Sequence, residues 1–267
     1  MFFRHNPTAR RATVAATAAL GVTTGLLLAG VGQADEPLKE GPAHMADFAW
    51  ASQPQWNFHR GENCWPQSPF DADGNPTRPD DCVEAKDDGK DGMAFPTYYT
   101  AKKCNPDEVR VSYTIYQAKE KDGEDDAHDF EHIIVVWNKN GENWTRSQLL
   151  MSDDGKHTSK SWGEAESWNA SGDDAGLGRE FPRIWIQEST HGMHNDEDDD
   201  NRDHDYPVPA SKNYDGEDKD NKKEGTGLIR IEEGDDLYNK FKDNADGFAD
   251  ETMNPAVVAD DLCEYSG

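Results

Sequence analysis

The chain has 267 residues, with 54 acidic side chains against 27 basic ones, and its formal net charge at pH 7 is −27. A surface this negative repels nucleic acid, so the charge excludes a nucleic-acid partner. The length suits one β-rich domain with long loops better than two independent domains. A salt-rich habitat explains most of the carboxylates, because it favours solvated acids over the whole surface, whereas cation binding needs only a few.

The first 34 residues have the pattern of a secretory signal peptide. Basic residues come first, an apolar run from Ala12 to Leu28 follows, and small residues lead up to Ala34. Threonines dilute the run, which distinguishes it from a transmembrane anchor. We predict that residues 1–34 are removed and that the mature chain, with no transmembrane segment, is a secreted, extracellular monomer. The Arg10-Arg11 pair leaves twin-arginine export open beside the ordinary Sec route.

All four cysteines, Cys64, Cys82, Cys104 and Cys263, lie after the leader. An oxidising compartment favours disulfides, and four cysteines allow three pairings. We favour Cys64 with Cys82, which would close a turn-rich loop, and Cys104 with Cys263, which would fasten the C-terminus to the first core strand. A single bridge with two free thiols is the alternative.

Apolar periodicity predicts an antiparallel β-core. Residues 109–115 alternate between apolar and polar side chains, and the continuously apolar run 133–137 predicts a central strand. The pair Asn140-Gly141 then predicts a hairpin turn into a strand over residues 144–150. Further short strands are predicted at residues 183–187 and 227–231.

The remaining segments have little periodicity. Residues 35–60 predict an irregular lead-in, and the mostly charged residues 193–226 predict an exposed acidic loop. Residues 237–248 predict a short helix. We therefore expect one domain over residues 61–267, all-β dominated, with long acidic loops and one or two short helices.

A cluster of acidic residues and histidines opens the most apolar strand. If the backbone is extended there, Asp129 and Glu131 point to one face, and His128, Phe130 and His132 point to the other. Neighbouring carboxylates favour a hard divalent ion such as magnesium or calcium, because these ions take oxygen ligands. The preceding loop offers further acids, namely Glu120, Asp122, Glu124, Asp125 and Asp126.

A second candidate site lies at His191 and His194. Two histidines at this spacing are compatible with zinc, but no third well-spaced His or Cys accompanies them, and solvated loop residues are the alternative. His157 likewise lacks well-spaced His or Cys residues that would complete a zinc site. No Ser or Cys lies in a recognisable nucleophile elbow, so the sequence predicts no catalytic residue and no enzyme.

The order of these segments resembles the necrosis-inducing protein family, also called necrosis- and ethylene-inducing-peptide-like proteins. The family's hallmark is a Gly-His-x-x-Asp-Trp-Glu signature that runs into an apolar strand ending in Trp. The matching stretch here is Asp125–Glu131, and it continues through His132 to Trp137. Residues 64–75 are similar to the family's early Cys, Pro and Gly-Asn segment, and the resemblance extends to Cys263.

The resemblance implies an actinoporin-like β-sandwich with a divalent ion at one end. It also implies attack on host membranes through the headgroups of glycosylated sphingolipids. His191 resembles a later histidine near the family's cavity, and we include His128 and His157 as candidate binding residues. The implied ligands of the ion are all carboxylates, namely Asp126, Asp129, Glu131 and, upstream, Glu120 or Asp122.

The chain departs from the signature at three positions. Asp125 and Asp126 stand where the family has Gly and His, and Phe130 stands where it has Trp. Replacing His by Asp keeps a ligand but gives it a harder oxygen donor, which favours calcium or magnesium over a transition metal.

Our main hypothesis is a secreted, cytolysin-like virulence protein that binds a divalent cation and, through it, a lipid-linked sugar headgroup on the host membrane. One alternative is a non-toxic extracellular glycan-binding module of the same fold, with Trp162 and Trp168 as exposed contacts to the glycan. A second alternative is a metal-assisted hydrolase around His191, His194 and the same carboxylates, in which the ion would activate water.

Overall fold

The computed structural model describes residues 44–58, 64–77, 95–119, 127–153, 156–168, 174–187, 191–196, 206–210, 227–248 and 253–267. Within these ranges, two six-stranded β-sheets pack face to face and carry short helices. This arrangement confirms the predicted β-sandwich. The predicted leader lies outside the described residues, and no helix within them is long and apolar enough to span a membrane.

The described residues form twelve strands and three α-helices. In chain order they are α1 (Met45–Ala51), β1 (Gln55–Phe58), β2 (Thr97–Asn105), β3 (Glu108–Lys119), β4 (Ala127–Asn140), β5 (Asn143–Asp153), β6 (Lys156–Ser161), β7 (Glu166–Trp168), β8 (Asp174–Leu177), β9 (Phe181–Ile186), β10 (Met193–His194), β11 (Tyr206–Pro209), β12 (Leu228–Arg230), α2 (Asp236–Asp243) and α3 (Pro255–Asp261). The first sheet has the order β12-β2-β3-β4-β5-β6. The second has the order β11-β1-β9-β7-β8, with β10 also paired to β9.

Strand β4 is buried on both faces, which explains its continuously apolar sequence. Ile133 and Val135 point into the core between the two sheets, whereas Ile134 and Val136 pack on the outer face against Leu262. Each of the four side chains on β4 is at most 4% exposed. Burial of an aliphatic side chain of this size stabilises a fold by about 1.5–3 kcal/mol, so β4 is central to stability.

The predicted hairpin between β4 and β5 is confirmed. Asn140 pairs with Asn143, and Gly141 in the turn has φ of 66°, a conformation that favours glycine. The register shifts by one residue between Val136 and Trp137, so that Ile133 pairs with Met151. This bulge determines which β5 residues lie beside the start of β4.

Aromatic side chains fill the space between the first sheet and the C-terminal helices. Phe130 of β4 contacts Tyr116 of β3, with ring centroids 4.8 Å apart, and Phe248, with centroids 5.0 Å apart. Phe241 of α2 joins the same cluster. The helix predicted over residues 237–248 ends earlier, at Asp243, and a 3-10 turn at residues 245–247 follows before Phe248.

Residues 45–58, within the segment predicted to be an irregular lead-in, instead form α1 and β1. Strand β1 lies inside the second sheet, between β11 and β9, and Trp56 is fully buried. The Ser52 hydroxyl after α1 lies 2.8 Å from the Tyr113 hydroxyl, and Trp137 Nε1 donates to Ser52 at 3.3 Å. These buried hydrogen bonds fasten α1 to the first sheet.

Two strands also lie in the segment predicted to be an exposed acidic loop. Strands β10 and β11 both pair with strands of the second sheet, and Met193 is fully buried. The prediction of an exposed loop is therefore wrong for this part of the segment. Residues 197–205 and 211–226 lie outside the described residues.

A disulfide joins Cys104 of β2 to Cys263 after α3, with a Cα–Cα distance of 5.3 Å. This pairing confirms the predicted link between the C-terminus and a core strand. Cys64 is also disulfide-bonded, and its predicted partner Cys82 lies outside the described residues.

Candidate functional site

Polar side chains from both sheets meet at one end of the sandwich. Asp129 lies near the start of β4 in the first sheet, and His191 lies between β9 and β10 of the second. Asp129 Oδ2 is 2.5 Å from His191 Nδ1. The His191 side chain is fully buried, and the Asp129 side chain is 11% exposed. A hydrogen bond to a carboxylate in such a place is stronger than one in water, so it links the two sheets here.

The backbone is unusual on both sides of this contact. Among the non-glycine residues that the structure describes, positive φ occurs at His128, with 75°, and at His191, with 54°. Non-glycine residues rarely adopt this conformation, and where they do the surrounding structure must hold them there. One of the two precedes Asp129 and the other bonds to it, so the strained backbone is concentrated at this site.

Glu131 lies two residues further along β4, on the same face as Asp129. It is 5% exposed, and the hydroxyl of Ser152 on β5 donates a hydrogen bond to its Oε2. The backbone N–H of His132 in turn donates to Ser152 Oγ at 2.8 Å. Both carboxylates therefore face the space between the sheets, as the alternation of β4 predicted.

Burial raises the pKa of Glu131 well above its ordinary range, because a carboxylate removed from water loses its hydration. The negative charges of Asp129 and Asp153 raise this pKa further, and the hydrogen bond from Ser152 and the charge of His191 act in the opposite direction. A bound cation would remove much of this repulsion. The cluster is therefore costly to ionise alone and suited to a positive ligand.

The donors at this site fit a hard divalent ion in chemical type, because Asp129 and Glu131 supply carboxylate oxygens. Among the residues that the structure describes, no group of three or more His, Cys, Asp or Glu side chains is arranged to hold a metal. The other implied ligands, Glu120, Asp122 and Asp126, lie outside the described residues. The full set of ligands therefore stays a prediction.

His128, a candidate binding residue, lies on the other side of the first sheet. Its Nδ1 is 2.8 Å from the Tyr116 hydroxyl, and its ring packs 5.3 Å from the ring of Phe248. Burial lowers the pKa of His128, so the imidazole is neutral at neutral pH. The structure therefore joins His128 to the aromatic cluster of the outer face and not to Asp129.

His157 is also on the outer face, where it pairs with His132. Their Nε2 atoms are 2.8 Å apart, and the ring of Tyr265 packs against both imidazoles, at 4.7 Å and 5.3 Å. Burial lowers the pKa of both histidines, and that of the fully buried His132 lies well below its ordinary value. One neutral imidazole donates a hydrogen bond to the other. Because both imidazoles lie on the outer face, this histidine pair is separate from the carboxylate cluster.

Phe130 lies on the opposite face of β4 from the two carboxylates. It is a fully buried member of the outer aromatic cluster. Its side chain points away from Asp129 and Glu131, as the alternation along β4 requires. Phe130 therefore belongs to the packing of the outer face and not to the carboxylate cluster.

Two residues proposed as exposed glycan contacts are buried. Trp162 is 6% exposed and packs under the guanidinium of Arg146, and Trp168 is 2% exposed and packs against Phe181. The expectation that these rings are exposed is wrong, because both are buried against neighbouring side chains. Neither presents a face to a sugar.

The paired histidines of the hydrolase alternative have different partners. His191 bonds to Asp129, whereas His194 Nε2 lies 3.4 Å from the side-chain oxygen of Gln187 at the surface. The two imidazoles therefore do not share one ligand position with the carboxylates, as a zinc site would require.

Ser152 and Asp153 are site residues that the sequence did not reveal. Both follow the apolar part of β5, and neither belongs to a motif. The predicted hairpin between β4 and β5 was the sequence feature that could have indicated these two residues, because continuing its register brings the end of β5 beside Glu131. The bulge at Val136 shifts that register by one residue, and the sequence gives no sign of it.

Several solved structures match the chain. It is 16% identical to NLPPya in complex with glucosamine, over 73% of this chain and 76% of that chain, with a TM-score of 0.42. It is 14% identical to the non-toxic HaNLP3 protein, over 79% and 85%, with a TM-score of 0.44. It is 19% identical to Necrosis and Ethylene inducing Protein 2 from the causal agent of cocoa's witches' broom disease, over 62% and 72%, with a TM-score of 0.38. No protein-family model matches the sequence, and no curated protein matches it.

Proposed function

We propose that this chain is a secreted, necrosis-inducing, cytolysin-like protein that binds a divalent cation, magnesium or calcium, at Asp129 and Glu131. Through that ion it binds the sugar headgroup of a glycosylated sphingolipid on a host membrane. One observation carries the proposal: two carboxylates of β4 are buried beside His191 at one end of the sandwich. The signature resemblance of Asp125–Glu131 supports the same assignment.

The chemistry of the site favours recognition over catalysis. Two buried carboxylates repel each other, and a divalent ion converts that repulsion into attraction. Hydroxyl groups of a sugar can replace water molecules on such an ion, so the ion recognises the headgroup without covalent chemistry. Asp129 is the more exposed of the two, which makes its side of the cluster the side open to the sugar.

The charge of the protein indicates what kind of membrane it approaches. A chain with a net charge of −27 is repelled by anionic lipid at low salt. At 0.1 M salt, screening limits the range of this repulsion to about 10 Å. An uncharged glycosylated headgroup avoids this repulsion. We therefore expect binding to neutral glycolipid, and weaker binding when anionic lipid is added.

Calorimetry with magnesium and calcium on the ion-free secreted chain tests the ion. We expect one binding event in the wild type and none in the double variant Asp129→Ala, Glu131→Ala. The matched control is Glu233→Ala, Asp235→Ala, which removes two exposed acids from the turn before α2. If the first variant binds as tightly as the wild type, the proposed site is wrong.

Vesicles that carry glycosylated sphingolipid test the membrane step. We expect the wild type to bind these vesicles and to release an enclosed dye in the presence of the ion, whereas vesicles without glycolipid stay intact. Binding without leakage would instead indicate the non-toxic glycan-binding module. Absence of binding to vesicles and to soluble glucosamine would contradict both functions.

A further inference from the structure

We infer that His132 and His157 form a second metal site, on the outer face of the first sheet, and that this site takes monovalent copper. One nitrogen of each imidazole binds the ion, and the ring of Tyr265 covers the pair. The inference is independent of the proposed function, because both imidazoles lie on the face of the sheet opposite to Asp129 and Glu131.

The two imidazoles converge on one point from strands on either side of β5. His132 belongs to β4 and His157 to β6, and β5 lies between these strands. The ring centroids are 4.8 Å apart, whereas the two Nε2 atoms are only 2.8 Å apart, so the rings approach each other through their nitrogens. If each imidazole carries its proton on Nδ1, both Nε2 atoms present a lone pair to the same ion.

The position of His132 is costly for a histidine whose role is packing alone. Its side chain is fully buried, and its Nδ1 has no hydrogen-bond partner among the described residues. Further along the same face of β4, Ile134 and Val136 pack against Leu262. An apolar side chain at residue 132 would avoid a buried nitrogen without a partner. A polar group kept at such a cost is typical of a place where a ligand binds.

The donors select the class of ion. Among the described residues, no group of three or more His, Cys, Asp or Glu side chains is arranged to hold a metal, so the pair supplies two ligands. Zinc takes three or four protein ligands, and magnesium and calcium take oxygen. Copper binds imidazole, and in its monovalent state it is stable with two ligands on opposite sides. Because both ligands are neutral, burying one positive charge here costs much less than burying two.

A fixed segment of the chain covers the two imidazoles. The ring of Tyr265 lies 4.7 Å from the ring of His157 and 5.3 Å from that of His132. Arg110 Nη1 donates to the Tyr265 carbonyl at 2.6 Å, and the disulfide from Cys263 to β2 holds the chain two residues earlier. The cover therefore shields a bound ion from water on one side.

The edge of the sheet provides the room that the ion needs. Metal–imidazole bonds are about 2.0 Å long, so two nitrogens on opposite sides of an ion lie about 4 Å apart, and the imidazoles must separate by about 1 Å. His157 is only partly buried, and β6 is an edge strand. Its ring can therefore move outward while the fully buried His132 stays in place.

Anaerobic titration of the full secreted chain with monovalent copper, against a chromogenic copper chelator, tests the site. We expect one bound ion per chain. His157→Gln should lower the affinity by at least about 100-fold, because it removes a direct ligand, whereas changes around a ligand already cost about 10–100-fold. The amide can still hydrogen-bond to His132, so the urea midpoint should stay close to that of the wild type. The matched control is His194→Gln, the same exchange in the second sheet, and it should keep the wild-type affinity.

X-ray absorption at the copper edge gives a readout on the wild type that does not depend on any variant. Two nitrogen neighbours are expected. Oxygen or sulfur neighbours would overturn the assignment, as would a wild type that does not compete with the chelator or a His157→Gln variant that binds copper equally well. Zinc bound as tightly as copper would overturn the class of ion. Glu131→Gln should keep the copper affinity, and a loss there would contradict a site separate from the carboxylates.

Discussion

Replacing Glu131 with Gln removes a buried carboxyl group that the ion site needs and whose ionisation is unfavourable in the ion-free fold. The side chain is 5% exposed, and burial together with Asp129 and Asp153 raises its pKa well above the ordinary value of 4.5. The amide oxygen of Gln can still accept the hydrogen bond from Ser152. We therefore expect Glu131→Gln to be more stable than the wild type at neutral pH without divalent ions, although it no longer binds them.

The expected size of the effect follows from the pKa difference. In the unfolded chain Glu131 loses its proton near pH 4.5, whereas in the native protein it keeps the proton to a higher pH. Unfolding therefore releases a proton in this window, and the wild type loses stability as pH rises through it. The loss approaches about 1.4 kcal/mol for each pH unit until the native pKa is reached.

Urea unfolding of both proteins at pH 5, 6 and 7 in the presence of a chelator measures this loss. The difference in the free energy of unfolding between Glu131→Gln and the wild type should grow with pH. Glu142→Gln is the matched control, because it makes the same exchange of acid for amide at an exposed side chain in the turn between β4 and β5. A difference that does not change with pH for Glu131→Gln would refute the assigned environment.

Three further changes have expected outcomes. Burial keeps His132 neutral while the unfolded chain binds a proton below about pH 6.5, so the wild type should lose about 1.4 kcal/mol more stability than His132→Phe between pH 7.5 and pH 5.5, measured by urea unfolding. Removing the disulfide with Cys104→Ser and Cys263→Ser should cost about 2–5 kcal/mol, because 159 residues separate the two cysteines, and the midpoint of thermal unfolding should fall. Trp168→Phe should lower stability and leave glycan binding unchanged, because the ring is buried; a loss of glycan binding at unchanged stability would contradict its buried position.

The central strands were predictable because their pattern of apolar residues follows from which of their faces are buried. Strand β4 is covered on both faces and is therefore apolar throughout, and β3 alternates. The Asn140-Gly141 pair specifies the turn that joins β4 to β5. The two carboxylates could be placed for the same reason, because the alternation that buries Ile133 directs Asp129 and Glu131 to the same face.

Other elements leave no such pattern. Strand β6 is an edge strand with a polar sequence, Lys156–Ser161, and its side chains are exposed or half-buried. Strand β1 has four consecutive buried residues, Gln55–Phe58, two of them polar, and is too short to show a period. Their positions are determined by pairing with distant strands, which a single sequence does not specify.

The site could be predicted only in part for the same reason. Asp129 and Glu131 follow from local alternation, whereas the contact with His191 joins residues 62 positions apart in two sheets. Ser152 reaches Glu131 across a hairpin whose register depends on a bulge. Contacts of this kind depend on tertiary packing, so the sequence predicted the carboxylates and missed the residue that orients one of them.

Titration of magnesium into the ion-free wild type, in two buffers with different heats of protonation, tests the ion site most directly. Because burial raises the pKa of Glu131 in the free protein, an ion that binds both carboxylates should release the proton that Glu131 carries below that pKa. We predict one bound ion and a proton released to the buffer, and the loss of both in Glu131→Gln. No binding, or binding that persists in Glu131→Gln with the same heat in both buffers, would contradict an ion site at Asp129 and Glu131.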